Sequence, residues 1–317
     1  MKPGVSIVIP VYNGAATIGA LVEQLIGTLA PRYALEIVLV NDCSPRDNSE
    51  EECLRLHRAH PQIVSFYSLA KNVGEHNAVM AGLNHTHGEY VVIMDDDFQN
   101  PVSEVITLIE AIRESGVDVV YSYYAKKQHS LLRNLGSRFN DWMATIMLGK
   151  PRDLYLSSFK VINRFVVREI VKYDLPFAYI DGLILRVTSR IGRVQVAHHA
   201  RAHGQSGYTL RKLVSLWLNM FTNFSILPLR AAMAVGFVFA LVGLGVGVYT
   251  IIEKLTNPAL PVGWAMTVVM IAIFSGVQLM AMGMIGEYLG RMFLSQNKKP
   301  QYVVRAAYER EEQRERA

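Results

Sequence analysis

The apolar residues in the N-terminal part of the chain fall in short unbroken runs separated by polar stretches. VSIVIPV (5–11) is continuous, as expected of a strand covered on both faces. LEIVLV (35–40), IVSFYSL (63–69), EYVVIM (89–94) and VDVVYSYY (117–124) repeat the pattern. Helical spacing predicts a helix over Ala15–Leu29. The polar loop NDCSPRDNSEE then feeds a helix whose first turn is acidic. EHNAVMAGLNHTH (75–87) reads as a helix with Gly88 as its C-cap. This rhythm of strand and helix predicts an α/β fold with a doubly wound, mostly parallel sheet. No internal repeat is visible.

The C-terminal third has a different pattern. Ala231–Ile252 and Trp264–Ile285 are long apolar windows without a charge. Each meets the requirement of about 20 residues for crossing a bilayer; the alternative is a pair of buried core helices. Gly236, Gly243, Gly245 and Gly247 suit close helix contact in lipid. The connector Glu253–Gly263 is short. Basic residues lie outside the pair: Arg211, Lys212 and Arg230 before it, Arg291, Lys298, Lys299 and Arg305 after it. The positive-inside rule then places both ends of the hairpin, and both termini, in the cytoplasm.

Two more segments are amphipathic. Leu131, Leu135, Phe139, Trp142 and Ile146 share one face of Ser130–Leu148, and Leu210–Leu227 is rich in Leu, Trp and Phe. Each fits either a core helix or a helix lying in the membrane interface. The expected organisation is therefore a catalytic domain over 1–208 and a juxtamembrane amphipathic helix over 209–230. Membrane helices over 231–252 and 264–286 and a charged cytoplasmic tail over 287–317 complete it.

Composition agrees with this division. The chain is 51% hydrophobic with a mean hydropathy of +0.20, which is apolar for a soluble enzyme. Its net charge is +5, suited to an anionic membrane face or phosphate substrates. No recognition helix or base-stacking signature of a nucleic-acid binder is present. Cys43 and Cys53 form neither a metal-type pair nor a disulfide framework, and read as reduced thiols.

Candidate chemistry gathers where the predicted strands end. Open parallel sheets bind ligands beyond the carboxyl ends of their strands. There the chain carries Pro10, Tyr12 and Asn13, then Asn41, Asp42 and Ser44, then Lys71, Asn72 and Gly74, then Asp95, Asp96 and Asp97. In an extended chain Asp95 and Asp97 point one way and Asp96 the other. Two carboxylates on one side repel each other, and a divalent cation between them turns that cost into binding energy. Oxygen ligands suit Mg²⁺ or Mn²⁺, and Gln99 could add a neutral oxygen. The alternative is an acidic turn in which Asp97 caps the following helix. His198 and His199 are adjacent on a predicted strand, so their side chains face opposite ways and share no metal.

VSIVIPVYN, Asp42, NVGEHNAVMAGLNHTHGEYVVIMDDDFQNP and the C-terminal hairpin together resemble the family 2 glycosyltransferases, and within them the polyprenyl-phosphate glycosyltransferases. The resemblance implies a GT-A fold and a metal carried by Asp95, Asp97 and Gln99. It implies donor contacts at Pro10, Tyr12, Asn13, Asp42, Lys71 and Asp95. The family's middle residue in the acidic motif is usually small; here it is Asp96, touching ribose or facing solvent. Lipid-phosphate contacts fall at Arg133, Ser137 and Arg201, with Lys126 and Lys127 near a further family arginine. Gly207, in GQSGYT (204–209), replaces a family lysine, and SSFK (157–160) resembles a substrate-side loop. Asp97 and Arg201 are the expected catalytic groups. Asp181, in YIDGLIL, could be a base, a helix N-cap or a sugar contact.

The implied reaction moves a sugar, with inversion, from a nucleotide-diphosphate sugar to a polyprenyl phosphate at the inner, cytoplasmic membrane. UDP is the preferred nucleotide and GDP stays open. The family often forms tetramers, so membrane lipids and further copies of the chain are expected partners. A phosphate monoester is largely dianionic at pH 7 and needs no general base to attack. Competing readings are a processive polysaccharide synthase, whose QxxRW motif is missing, and an inactive membrane scaffold.

Overall fold

A computed structural model describes residues 2–124, 145, 150–151, 154–176, 178–197, 227–257, 263–297 and 300–311. The elements run β1 (Gly4–Val11), α1 (Ala15–Leu29), β2 (Ala34–Asn41), α2 (Ser49–Ala59), β3 (Val64–Leu69), α3 (Glu75–Leu83), β4 (Tyr90–Ile93) and α4 (Val102–Ser115). They continue through β5 (Val119–Tyr123), β6 (Lys160–Asn163), α5 (Arg164–Ile170), α6 (Ile180–Val187) and β7 (Ile191–Gln195). Two long helices follow, α7 (Leu227–Thr256) and α8 (Trp264–Gln296), and then a last strand, β8 (Val304–Tyr308). The chain divides into two units, 1–208 with 298–317, and 209–297.

The first unit is built on one eight-stranded sheet in the order β7-β5-β6-β4-β1-β2-β3-β8. β3, β2, β1 and β4 are parallel, as the βαβ rhythm predicts. The sheet is mostly parallel, as expected, and β5 and β7 also pair in parallel; two strands are reversed. β6 runs antiparallel to both β4 and β5, and β8 runs antiparallel to β3. β8 arises from the segment read as a free charged tail. Its residues alternate polar and apolar only weakly, so the pattern gives no strand signal until β3 supplies a partner edge.

The unbroken apolar runs are explained by burial on both faces. Val5, Ile7, Ile9, Ile37, Leu39 and Phe66 are fully buried, each side chain contributing roughly 1.5–3 kcal/mol. In α1 the buried positions Thr17, Ile18, Leu21, Val22, Leu25 and Leu29 trace one face. α3 ends earlier than predicted, at Leu83, where the Asn84 side chain donates to the Met80 carbonyl (2.9 Å). Gly88 is therefore not a helix cap. A Cβ there would lie 2.7 Å from the Ser6 backbone nitrogen, so glycine is required for contact with β1.

In the second unit α7 and α8 pack on each other. A Cβ on Gly243 would meet the Phe274 ring at 2.6 Å, and Phe239 meets the same ring edge-on at 6.4 Å. Among the described residues, none outside the helix's own backbone comes within 4 Å of a Cβ position at Gly236, Gly245 or Gly247. Large apolar side chains stay exposed along both helices, among them Phe237, Leu244, Ile251, Leu279 and Met280. Among the described residues one helix, Ala232–Thr256, is long and apolar enough to cross a membrane.

Candidate active site

The polar strand ends meet at one edge of the sheet, as the parallel arrangement of β3, β2, β1 and β4 requires. Three non-glycine residues with positive φ lie there: Asn13 (55°) after β1, Cys43 (52°) after β2 and Phe98 (58°) after β4. Such backbone costs free energy and gathers at functional sites. The loops are also bonded to each other. The Asn13 backbone N–H donates to Ser44 Oγ (2.9 Å), and Asn13 Oδ1 accepts from the Arg46 backbone (3.1 Å). Tyr12 is exposed, Pro10 half-buried, and Lys71 exposed.

Asp42 is buried and its carboxylate is engaged by the next loop. It accepts from Val73 N (2.7 Å), Gly74 N (2.9 Å) and Asn72 Nδ2 (2.9 Å). Burial pushes its pKa up; the two backbone N–H groups only partly offset that. Asp42 thus holds the Lys71–Gly74 loop in place, a role that spacing alone does not reveal.

The acidic run splits between the two faces. Asp95 accepts from Ser158 Oγ (2.7 Å). Burial, then the charge of Glu75, raises its carboxyl to about 7; Asp97 adds to the rise, while Ser158 and Lys160 oppose it. Asp97 is buried, and its Oδ1 accepts from the Gln99 backbone N–H (3.1 Å). This closes a turn ahead of α4, whose N-cap position is Pro101, so the bond to Gln99 does not make Asp97 a helix cap. Asp96 faces Gly14, at the start of α1.

A second layer lies beside Asp95. Lys160, Tyr121 and Asp181 are all buried. Asp181 Oδ1 accepts from the Tyr121 hydroxyl (2.8 Å) and from Lys160 Nζ, which also sits 5.0 Å from the centre of the Tyr121 ring. Burial, then Asp181, pushes the Tyr121 phenol well above its ordinary range. His76 meets the Tyr179 ring edge-on at 4.9 Å. Burial pulls its imidazole down to about 4, so it is neutral at pH 7.

Oxygen donors, crowded negative charge and a lysine already engaged with Asp181 suit a divalent cation on Asp95 and Asp97. Among the described residues no three acidic, imidazole or thiol groups converge on one metal position. A cation held by Asp95 and Asp97 would therefore need further oxygens from a ligand or water. A depression of about 450 Å³ lined by Glu89, Tyr90 and Arg113 contains none of these groups.

Residues 6–171 match the family model described as glycosyl transferase family 2. The chain belongs to glycosyl transferase family 2. It is a glycosyltransferase whose family match ends close to the end of α5. Its likeness to individual relatives runs further. It is 33% identical to an undecaprenyl-phosphate 4-deoxy-4-formamido-L-arabinose transferase of Edwardsiella ictaluri (strain 93-146), over 98% of this chain and 97% of the relative. It is 30% identical to the protein of that name from Photorhabdus laumondii, over 95% and 93%. A looser likeness, with 19% identity and a TM-score of 0.48, links it to glucosyl-3-phosphoglycerate synthase of Mycobacterium tuberculosis over 69% of this chain and 76% of that one.

In this transferase Lys126, Lys127, Arg133, Ser137 and Arg201 lie outside the described residues, as do Gly207, the His198–His199 pair, and the predicted amphipathic helices apart from Thr145 and Leu227. Asp181 lies in the first turn of α6, whose N-cap is Tyr179. One of its oxygens already accepts from Tyr121 and Lys160, which commits it to a buried ion pair. Sequence reasoning missed Tyr121, His76 and Glu75, and marked Ser158 and Lys160 only as part of SSFK, without their partners. The one available signal was SSFK, in which a lysine interrupts a buried strand run and so demands a partner.

Proposed function

We propose that this family 2 transferase moves a sugar from a nucleotide-diphosphate sugar, UDP preferred, to a polyprenyl phosphate at the cytoplasmic face of the inner membrane, with inversion. The observation that carries this is the extent of the likeness. Identity to transferases named for undecaprenyl phosphate spans 98% of the chain, so it includes both long helices, which the family match leaves out. The donor would lie across the ends of β1, β2 and β4, against Tyr12, Asn13 and Asp42. Asp95 and Asp97, with Gln99, would hold Mg²⁺ or Mn²⁺. A bound dication would neutralise the diphosphate as it leaves. The acceptor phosphate attacks without a base, so the chain's task is positioning and charge screening. Arg133, Ser137, Arg201, Lys126 and Lys127 are the proposed acceptor-phosphate contacts.

The fold supports a two-helix membrane hairpin. Strand β8, beyond both helices, joins the sheet that contains the N-terminus. One sheet cannot straddle a bilayer, so any crossings by the intervening chain would come in pairs. α7 and α8 would supply two crossings and leave both termini cytoplasmic. The exposed apolar surfaces of these helices also suit a homo-oligomer.

Transfer of radiolabelled sugar from a panel of UDP- and GDP-sugars to undecaprenyl phosphate, with and without Mn²⁺, tests the reading. One lipid-linked monosaccharide is expected, lost on chelation. Asp97→Ala should lower turnover by about 100-fold or more, the cost of losing several kcal/mol of charge stabilisation. Long polymer, or wild-type turnover without metal, would overturn the proposal.

A further inference from the structure

The place of Asp96 in the acidic run is visible in what surrounds Gly14. Met94 N donates to Val8 O (3.2 Å), so the chain beyond β4 still runs beside β1. Asp95 then turns toward Ser158, and Asp96 toward the other face. A Cβ built on Gly14 would lie 1.8 Å from Asp96 Oδ2 and 2.8 Å from Asp96 Cγ. The carboxyl group fills the space that a side chain at position 14 would need.

The backbone of Gly14 does not itself demand glycine. Its φ of −110° and ψ of 16° are open to any residue. What a side chain there would meet first is the end of the Asp96 side chain, which would have to leave its place. Gly14 is also a junction. Its N–H donates to Ser49 Oγ (2.9 Å), and its carbonyl accepts the N–H groups of Thr17 and Ile18 (both 3.0 Å), which starts α1. Immediately before it stand Tyr12 and Asn13, the latter bonded to Ser44 and Arg46 across the site. A carboxylate packed at the start of the 15-residue α1 is also favourably placed in the helix field.

We infer that Asp96 is a positioning residue that locks the Tyr12–Gly14 loop to the Asp95–Asp97 turn by filling the space beside Gly14. The two halves of the donor site then move as one body. The inference rests on the donor-binding reading proposed above, and it takes Asp96 out of contact with the nucleotide.

The test uses the full chain in detergent and four variants: Gly14→Ala, Asp96→Ala, Asp96→Asn and the double Gly14→Ala/Asp96→Ala. UDP binding with Mn²⁺ is measured by calorimetry, donor kcat and KM by transfer, and the unfolding midpoint by heating. Gly14→Ala should raise donor KM at least about tenfold, since small misplacements of binding groups are costly. The double variant should fall back to the level of Asp96→Ala alone, because its smaller side chain vacates the space. Asp96→Asn, which keeps the shape, should stay nearer wild type than Asp96→Ala. A harmless Gly14→Ala, or a double variant no better than Gly14→Ala, would overturn the inference. So would an Asp96→Ala that lowers kcat alone with KM and UDP affinity unchanged. If the wild type binds no UDP with any metal, the donor reading fails instead. The relief of the Gly14→Ala unfolding shift in the double variant then still decides whether the contact exists.

Discussion

At the scale of single residues, the site is an economy of charge. Asp95, Asp97 and Glu75 crowd negative charge at a strand end, and Lys160 is the buried cation set against it. Lys160 and Asp181 lie at 4% and 9% side-chain exposure, deep enough that removing one partner strands the other. Lys160→Met should therefore destabilise the fold by about 3–5 kcal/mol, and Lys160→Met/Asp181→Leu should regain much of it. Unfolding midpoints of the single and double variants check this; additive losses would contradict a true pair. The acids at the strand ends were legible because polar residues that interrupt an apolar run need a reason. Their partners were not. Ser158 is 63 positions from Asp95, and Tyr121 is 60 from Asp181. No local pattern connects residues so far apart.

At the scale of elements, the early strands follow from their apolar runs, while β8 depends on a neighbour. It is held by more than its ladder to β3. Tyr308 stacks on Phe66 (ring centres 5.7 Å apart), and Arg310 Nη2 reaches the buried Glu36 carboxylate at 2.9 Å. Glu36 also accepts from the His87 backbone (2.7 Å), the His87 ring (3.1 Å) and Ser6 Oγ. Burial alone would raise its pKa, but the His87, Arg310 and Ser6 contacts outweigh this and the net shift is downward. A carboxyl with a depressed folded pKa stabilises the protein above its unfolded value, near 4.3. That stability is lost as pH falls through the folded value. Glu36→Gln should therefore lower stability at pH 7 and flatten its fall on acidification. Chemical unfolding of both proteins between pH 7 and pH 3 gives the comparison, and parallel curves would rule out the coupling. Gln301 strengthens the same join, donating from Nε2 to the carbonyls of Tyr173 (2.6 Å) and Leu175 (2.8 Å).

At the scale of the whole molecule, an apolar helix pair is inserted between two parts of one sheet. If the pair crosses the bilayer as proposed, a reporter fused at either terminus should be cytoplasmic. The protein should also stay in the membrane through an alkaline wash. A periplasmic C-terminus would be incompatible with β8 in the sheet. The sequence by itself determined the α/β class, the parallel centre of the sheet, the two apolar helices and the acidic strand end. Each is a local pattern of burial or charge, repeated at a period the backbone imposes. Only the tertiary structure decided that the charged tail becomes a strand. It also set β6 antiparallel between β4 and β5, and brought Lys160 and Tyr121 onto Asp181. These outcomes depend on which surfaces meet across long stretches of chain, and the free energy of such meetings is not written in any one segment.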